Sequence, residues 1–533
     1  MTLYYQKKVI LWRIFENLRY DRDMGEEDSN LDNIKSPLPA REFKGRAEPV
    51  ISRVDQKDSA TDNVSGNLVS RPTESKKVSG NLLKIIGIIV VVFLLFLLIF
   101  KVILPRLRKK DANSEKVVVN YWGLWEEPTV IEGLIMDFES KNPGIKIEYR
   151  KHQKDDYRSR LQAKLEKGEE GTDVPDIFRI HSSWIPMLEE NLARVPKEIS
   201  TSLQLDEDFY DVYKKDLKVD GSYLAIPLMY DGLSLFYNKD ILDSAGKRLP
   251  KTWWGLSDLA KDLTVRGIDN KIKVAGVAMG LAENIDHWSD ILGLMMMQNG
   301  VNLTDGSSDN LKKIEDILTF YTLFRTKYET WDETLPPSIV YFANGKLALC
   351  FAPSWRVFDI EMLNPNLNFG IGVVPQMPTL EGLDPKQIED GEIEANLTKI
   401  NWATYWVEGV NKKSLKQKEA FEFLSFLASK EGMEKMFLTA TQIRSFGEIS
   451  PRKSMMSSMS ENEKIAPFVA VADWSESGYL SSYTWDNGLN DQMNKYFKDA
   501  VNKIVVSNAS VQGIMPDLQN GINRVIEMYR LDD

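Results

Sequence analysis

The sequence contains very few of the residues that form disulfides or metal sites. Its 533 residues include one cysteine, Cys350. No disulfide can therefore form within the chain, and no cysteine-based zinc or iron–sulfur site is available. Three histidines, His152, His181 and His287, are too few for a histidine-rich metal centre. These shortages predict a protein with no bound metal and no cofactor.

Known catalytic signatures are also missing. The sequence has no G-x-S-x-G, no G-x-x-x-x-G-K-[ST], no H-E-x-x-H and no Rossmann glycine triplet. Acidic residues are plentiful enough to supply the carboxylate pair of a glycoside hydrolase, but nothing in their spacing selects one pair. We therefore assign no catalytic residue and expect the protein not to be an enzyme.

Excess basic charge is confined to the N-terminal part of the chain. Residues 1–110 contain 20 Lys and Arg against 13 Asp and Glu, a net charge of +7, so that the overall −11 leaves −18 on residues 111–533. A surface this acidic repels a phosphate backbone, which argues against nucleic-acid binding.

The length of the chain also exceeds what one ordinary hydrophobic core organises, so we expect more than one domain.

One apolar run, residues 82–104, divides the chain. A helix of this length extends roughly 34 Å, enough for the ~30 Å hydrocarbon core of a bilayer. No small-residue cleavage site follows it, and Cys350 is too distant to serve as a lipoprotein anchor. The run is therefore predicted to be a transmembrane helix that anchors the protein. Its basic flanks are nearly balanced and lean slightly towards a cytoplasmic C-terminus.

The segments on either side of this run differ in character. Residues 1–81 form an N-terminal tail that is predicted to be mostly disordered, because residues 21–81 have few large apolar side chains and no periodicity. Residues 105–115 are a charged linker. From residue 116 onwards strands and helices alternate, as in VVVNYW, the helix 129–142 and IKIEY. This order predicts an α/β protein with a parallel-rich sheet covered by helices.

Tryptophan is concentrated in the α/β region, which holds 12 of the 13. Several of these residues lie where predicted strands end, and in open α/β sheets ligands bind beyond the carboxyl ends of the strands. An indole face suits the weakly apolar face of a sugar ring, while nearby carboxylates and amides suit its hydroxyls. Together the tryptophans favour a saccharide site, although core packing is the better explanation for any single one.

Several segments carry a family resemblance. The most specific is IPLMYDGLSLFYNKDIL followed by LPKTWWGLSDLAKDL, and the opening VVVNYWGLWEEPTVIEGLIMDFESKNPGIKIEY and the stretch FANGKLALCFAPSW support it. Residues 116–533 resemble the family 1 extracellular solute-binding proteins of ABC importers, the group that includes maltose-binding protein. Two departures are the internal apolar run and the stretch 364–400, which looks like an insertion or enlarged loop.

The resemblance implies a two-lobed, hinged α/β fold of the periplasmic-binding-protein type (type II). The expected first lobe comprises 116–227 and 407–447, and the expected second lobe 232–400 and 450–533. Hinge crossovers are expected near 228–231, 401–406 and 447–450. By the same resemblance, His181 is interpreted as structural. The ligand-binding residues that it implies are Trp122, Trp125, Glu126, Ser182, Ser183, Trp184, Tyr230, Asp231, Asn284, His287, Trp288, Asp290, Trp355, Trp402, Tyr405, Trp406 and Trp485.

The implied function is solute capture outside the cell. The protein would be a monomeric, membrane-tethered receptor that binds a sugar or oligosaccharide by hinge closure and delivers it to separate ABC permease subunits. Because capture has a purpose only outside the membrane, we expect the tail in the cytoplasm and the large domain outside, against the slight charge bias. The alternatives are a membrane-anchored ligand sensor and an anchored glycan-processing enzyme.

Overall fold

The structure is a computed structural model that describes residues 116–167, 173–378, 385–391 and 397–531. The predicted tail, the apolar run 82–104 and the linker lie outside these residues. Among the helices of the described part, none combines the length and the apolar character that crossing a bilayer requires. Helices and strands are numbered below in chain order.

The chain first builds a strand–helix alternation. Its elements are β1 (Val117–Gly123), α1 (Pro128–Lys141), β2 (Ile145–Lys151), α2 (Tyr157–Lys167), β3 (Ile177–His181), α3 (Ile185–Leu188), α4 (Lys197–Leu203), α5 (Asp211–Leu217), β4 (Lys218–Val219), β5 (Ser222–Tyr223) and β6 (Ala225–Pro227). Helix α1 begins with Pro128, whose fixed φ suits a first helical position. It buries Val130, Leu134 and Phe138 along one face.

The middle of the chain forms a second alternation. Its elements are β7 (Ser234–Asn238), α6 (Lys239–Ser244), α7 (Trp253–Leu263), β8 (Val265–Arg266), β9 (Ile272–Val277), α8 (Trp288–Gln298), α9 (Ser308–Thr326), α10 (Ser338–Ala343), β10 (Leu347–Ala352), α11 (Arg356–Leu363), β11 (Phe369–Gly372) and α12 (Pro385–Glu389).

The remaining chain passes between the two regions. It comprises β12 (Asn401–Trp402), β13 (Trp406–Val410), α13 (Gln417–Leu427), α14 (Lys430–Ala440), α15 (Met456–Met459), α16 (Ala466–Val471), β14 (Ser475–Glu476), α17 (Leu489–Val505) and α18 (Val511–Tyr529). The predicted strand and helix types agree with these elements.

Two five-stranded sheets organise the fold. The first has the order β2-β1-β3-β13-β6, with β1 parallel to β2 and β3 and with β13 antiparallel to both of its neighbours. The second has the order β11-β7-β10-β9-β8. Each sheet is the centre of one α/β lobe, so strand β13 returns the chain to the first lobe after the second has been built.

The second sheet corrects the expectation of parallel-rich sheets. Only the β10–β9 pair in it is parallel, whereas β7 runs antiparallel to both β10 and β11, and β8 runs antiparallel to β9. Strands β8 and β9 are joined by a short connection, 267–271, which permits an antiparallel pair without a crossover helix. The alternation of strands and helices in the sequence does not predict such a hairpin.

The stretch 364–400 is only partly an insertion. Strand β11 lies inside it and forms the edge of the second sheet against β7. Helix α12 also lies inside it and supports the start of α7 through Glu389. One oxygen of this carboxylate accepts from the Thr252 N–H at 2.8 Å and the other from the Lys251 N–H at 2.9 Å. This part of the stretch therefore completes the second lobe.

Three crossover segments join the lobes and bond to one another. The Tyr230 N–H donates to the Ile449 carbonyl at 2.8 Å, and the Leu233 N–H donates to the Trp402 carbonyl at 2.9 Å. The Thr404 N–H returns a bond to the Asp231 carbonyl at 3.0 Å. The first crossover therefore lies between the other two, which makes the three segments a single narrow connection.

The first lobe is held at its centre by a buried ion pair. In the β3–β13 register Arg179 lies directly opposite Glu408, and the Arg179 Nε donates to the Glu408 carboxylate at 2.7 Å. Their side chains are 3% and 0% exposed. Breaking such a pair leaves an uncompensated charge in the interior, which is strongly destabilising.

We therefore expect Arg179→Met to lower the free energy of unfolding by about 3–5 kcal/mol, measured by urea denaturation. The matched control is Arg194→Met. Its partner is Asp220, the two side chains are 46% and 80% exposed, and the expected loss is below about 1 kcal/mol. Losses of equal size in the two variants would contradict a structural role for the buried pair.

Candidate functional site

Four tryptophans form a continuous run of contacting rings at the edge of the first sheet. The ring centroids of Trp184 and Trp406 are 5.3 Å apart, those of Trp406 and Trp125 are 5.5 Å apart, and those of Trp125 and Trp485 are 5.1 Å apart. These separations are those of aromatic rings in direct contact. Four residues that are distant in sequence therefore form one cluster, in which Trp184 is buried and the other three are partly exposed.

The run continues to the second lobe. The Trp485 ring lies 5.7 Å from Tyr483, whose ring lies 5.8 Å from Trp355. The Trp355 ring in turn lies 5.7 Å from the imidazole of His287. We call the six residues 184, 406, 125, 485, 483 and 355 the aromatic run. It connects the first lobe to the second beside the crossovers.

Sheet topology explains this convergence. Trp125 and Trp184 follow the carboxyl ends of the parallel strands β1 and β3. Trp406 begins β13, which is antiparallel to β3 and places Trp406 opposite His181, the last residue of β3. In the second lobe Trp355 follows the carboxyl end of β10. All four residues therefore lie where α/β sheets bind ligands.

Two indole groups of the run have unsatisfied donors. The Nε1 atoms of Trp125 and Trp184 are buried and have no hydrogen-bond partner among the described residues. Buried polar atoms are nearly always paired with protein or water. Trp125 also adopts a left-handed backbone, with φ 70°, which is uncommon for a residue with a side chain. Unpaired donors and an unusual backbone are typical of functional sites.

A charged group is held between two rings of the run. The guanidinium of Arg356 lies 4.2 Å from the Trp355 ring and 4.7 Å from the Tyr483 ring. It is also paired with two carboxylates, Asp286 at 3.1 Å and Asp359 at 2.9 Å. Its charge is thus neutralised within the protein, and its planar group fixes the two rings in place.

His287 takes part in the same network as a neutral residue. Its Nε2 accepts from the Arg356 Nε at 3.0 Å, so its own proton lies on Nδ1. The Nδ1 atom lies 3.1 Å from an Asp290 oxygen and 2.9 Å from the Ser482 hydroxyl. Burial lowers the pKa of His287. His287 therefore orients Arg356 beneath the aromatic run.

Asp231 lies behind the run and not on its surface. It is 3% exposed, and its oxygens accept from the Gly232 N–H at 2.8 Å and from the Ser354 N–H and hydroxyl, both at 2.9 Å. Burial raises its pKa to about 7. Its carboxyl group ties the first crossover to the residue that precedes Trp355.

Other predicted site residues also stabilise the crossovers through buried hydrogen bonds. The Trp402 indole donates to Asp290 at 3.0 Å, and the hydroxyl groups of Tyr230 and Ser475 are 2.6 Å apart. The Tyr405 hydroxyl donates to Asp216. Each of these side chains is buried and already bonded within the protein. Two further predicted residues, Ser182 and Ser183, are buried beside β3 in the first lobe.

Three predicted residues lie apart from the run. Trp122 stacks on His152 at 4.1 Å and lines a separate cavity of about 290 Å³. Asn284 accepts from the Trp331 indole at 2.9 Å, and Trp288 packs against the core at the start of α8. Trp122 differs from Trp125 because it still belongs to β1, whereas Trp125 lies beyond its end.

The sequence reasoning missed Tyr483 and Arg356. Both are next to predicted residues, since Arg356 follows Trp355 and Tyr483 lies two positions before Trp485. Adjacency to a tryptophan in a loop was the available signal. The pairing of Arg356 with Asp286, 70 residues earlier, was not visible in the sequence.

Glu126 belongs to a carboxyl pair at the third crossover. It is 3% exposed, and both its carboxyl group and that of Glu448 approach the same guanidinium nitrogen of Arg444, at 3.3 and 2.9 Å. Burial and the neighbouring Glu448 raise the pKa of Glu126 to about 7. Burial raises the pKa of Glu448, but the charge of Arg444 and a hydrogen bond with Glu126 lower it by more. The pKa of Glu448 is therefore below its ordinary value. Glu126 therefore binds its proton more tightly than Glu448 does.

The fold and the site together define a two-lobed binding protein with an aromatic surface at the lobe junction. Residues 133–465, more than half of the chain, match the family of bacterial extracellular solute-binding proteins. The protein belongs to this family, which confirms the resemblance found in its sequence. Relatives in this family are solute-binding proteins and not enzymes.

Individual relatives are similar over different lengths. The chain is 21% identical over 342 residues to the multiple sugar-binding protein of Streptococcus mutans, covering 62% of this chain and 75% of that protein. It is 25% identical over 226 residues to the maltodextrin-binding protein MdxE of Bacillus subtilis, covering 38% of this chain and 49% of that protein. The chain thus matches about half the length of the Bacillus relative.

A solved structure shares the fold. The sugar-binding protein MalE from the phytopathogen Xanthomonas citri is similar with a TM-score of 0.60 and 17% identity, covering 78% of this chain and 98% of that one. This likeness confirms the predicted two-lobed α/β architecture.

The Glu126–Glu448 pair predicts a pH-dependent stability. Because the folded pKa of Glu126 is about 7 and its ordinary value is 4.5, the folded protein holds a proton that the unfolded chain releases between these values. Stability from this group is therefore lost as pH rises from 4.5 towards 7.

We expect Glu126→Gln to remove this loss. Its free energy of unfolding, relative to wild type, should increase with pH across that interval by up to about 1.4 kcal/mol per pH unit, measured by urea denaturation. The control, Glu132→Gln on the exposed face of α1, should show no such trend. A pH-independent difference for Glu126→Gln would contradict the raised pKa of Glu126.

Proposed function

We propose that this protein captures a sugar or oligosaccharide at the lobe junction and delivers it to the permease subunits of an ABC importer. The observation that carries the proposal is the aromatic run, in which Trp125, Trp406 and Trp355 lie partly exposed beside the carboxyl ends of strands from both lobes. Indole and phenol faces stack on the apolar faces of pyranose rings.

The charge beneath Trp355 and Tyr483 favours a neutral saccharide over an anionic one at these two rings. Arg356 is the cation beneath Trp355 and Tyr483, and it is already paired with Asp286 and Asp359. Binding a phosphate or uronate there would require breaking a pair that is largely buried, which costs free energy. The Streptococcus and Bacillus relatives, which are a sugar-binding and a maltodextrin-binding protein by name, agree with a saccharide ligand.

The division of the run between the lobes supports capture by hinge closure. Trp125, Trp184 and Trp406 belong to the first lobe, whereas Trp355 follows a strand of the second. A ligand that contacts both sets favours the closed arrangement over an open one. The narrow connection of three bonded crossovers is a suitable hinge, because few backbone torsions need to change.

The apolar run 82–104 completes the proposal as a membrane tether. It would place residues 105–533 outside the cell and the N-terminal tail in the cytoplasm. Tethering keeps a receptor at high effective concentration beside a permease in the same membrane. We propose that the receptor acts as a monomer, since one molecule contains both lobes of the site.

Saccharide binding is tested by calorimetric titration, guided by a thermal-shift screen of neutral mono- and oligosaccharides. We expect at least one saccharide to raise the melting temperature, because a ligand of the folded state stabilises it. Trp355→Ala should weaken that binding about tenfold, which corresponds to the loss of about 1.4 kcal/mol of ring contact.

The matched control for this variant is Trp254→Ala. Trp254 is 42% exposed on α7 and lies outside the aromatic run. Its removal should leave saccharide affinity unchanged. Equal effects of the two substitutions, or unchanged affinity in Trp355→Ala, would contradict the assignment of the site.

Topology is tested by protease treatment of intact cells. We expect the fragment 116–533 to be removed while a cytoplasmic marker protein remains intact. Survival of the large domain in intact cells, with digestion only after lysis, would place it in the cytoplasm and contradict a receptor of external solutes.

A further inference from the structure

The loop that carries Trp485 has an unusual backbone. Tyr483, Trp485 and Asn487 all adopt positive φ angles, of 55°, 49° and 46°. None of the three is glycine, and the left-handed region is disfavoured for residues with a Cβ atom. We call residues 482–488 the strap. Such a backbone persists only where surrounding contacts hold it.

Anchors at both ends of the strap supply those contacts. At its start, the Ser482 N–H donates to Asp290 at 3.0 Å. At its end, Asp486 is fully buried and accepts from the Gly488 N–H at 2.9 Å and the Asn490 N–H at 2.8 Å, at the beginning of α17. Thr484, between the anchors, is also fully buried. The buried side chains of Thr484 and Asp486 therefore hold the strap in place. The residues that alternate with them, Tyr483 and Trp485, contact the other rings of the aromatic run.

Trp485 uses this position to reach the first lobe. Its ring contacts Trp125 at 5.1 Å, and the Lys154 ammonium lies 4.4 Å from its centroid. Because 5.1 Å is the separation of rings in direct contact, no sugar ring fits between the two indoles. The face of Trp125 towards Trp485 is therefore covered by the protein itself.

We propose that Trp485 is an internal occupant of a sugar position on Trp125, and that the strap must move before a saccharide can use that position. The inference rests on the proposed function, since it assumes that the aromatic run binds saccharides. Trp485 then determines specificity. A saccharide reaches Trp125 only if its own contacts replace those that Trp485 makes with Trp125 and Lys154.

The strained backbone makes this displacement feasible. Release of Trp485 gives up its ring contacts, but it also allows Tyr483 and Trp485 to leave the left-handed region. These contributions oppose one another, and a ligand shifts the balance between the covered and uncovered states by its differential affinity.

Oxidative footprinting of the ligand-free full chain tests the covered ring. With hydroxyl radicals, Trp125 should oxidise several-fold faster in Trp485→Gly than in wild type, whereas the exposed Trp254 should react equally in both. Glycine suits the left-handed position, and Trp485→Asn, another residue that tolerates it, provides a second variant. An unchanged Trp125 rate in both variants would overturn the proposal.

Calorimetric titration with the saccharides from the thermal-shift screen tests the displacement. For the longest saccharide that binds, Trp485→Gly should bind about tenfold more tightly, because the internal competitor is gone. The control Asn487→Gly relieves the same backbone strain at a residue without a ring in the site, and its affinity should match wild type. Weaker binding by Trp485→Gly would show that this ring is part of the binding wall and would overturn the proposal.

The two failures are distinguishable. If saccharides bind but Trp125 is no more reactive without Trp485, the strap proposal fails and the proposed function stands. If the footprint changes as expected but neither wild type nor Trp485→Gly binds a saccharide, the proposed function fails, and the role of Trp485 as an occupant of a sugar position fails with it.

Discussion

The first lobe depends on one buried ion pair, Arg179 with Glu408. The two residues are 229 positions apart, and their pairing joins the strand β3 to the strand β13, which enters only after the second lobe has been completed. The same guanidinium donates to the carbonyl of Leu124 at 3.1 Å, directly before Trp125. The pair therefore sets the β3–β13 register that brings Trp406 next to Trp184, and it supports the unusual backbone of Trp125.

Buried carboxyl groups and aromatic rings have different roles around the lobe junction. Asp231 connects the first crossover to Ser354, and Arg444 pairs with both Glu126 in the β1–α1 loop and Glu448 in the third crossover. Burial raises the pKa of Asp231 and of Glu126 to about 7. These groups hold the hinge. The rings of the run other than Trp184 are only partly buried, and they are left to contact a ligand.

Sequence reasoning found the fold and much of the aromatic run, because strands, helices and tryptophans at strand ends are local features. Trp125, Trp184, Trp355 and Trp406 were predicted on that basis. Asp231 and Tyr405 were assigned to the ligand because they lie at crossovers, and their burial depends on how three distant segments bond to one another. The antiparallel second sheet was missed for a related reason, since strand direction follows from long-range pairing. The left-handed strap depends on buried anchors that no local pattern reveals.

The central claim is that a saccharide binds on the aromatic run between the lobes, and a crystal structure of the protein with a bound saccharide tests it most directly. The account predicts a sugar ring stacked on Trp355 of the second lobe and in contact with Trp406 of the first. A saccharide bound away from these rings, for example in the cavity beside Trp122, would contradict it.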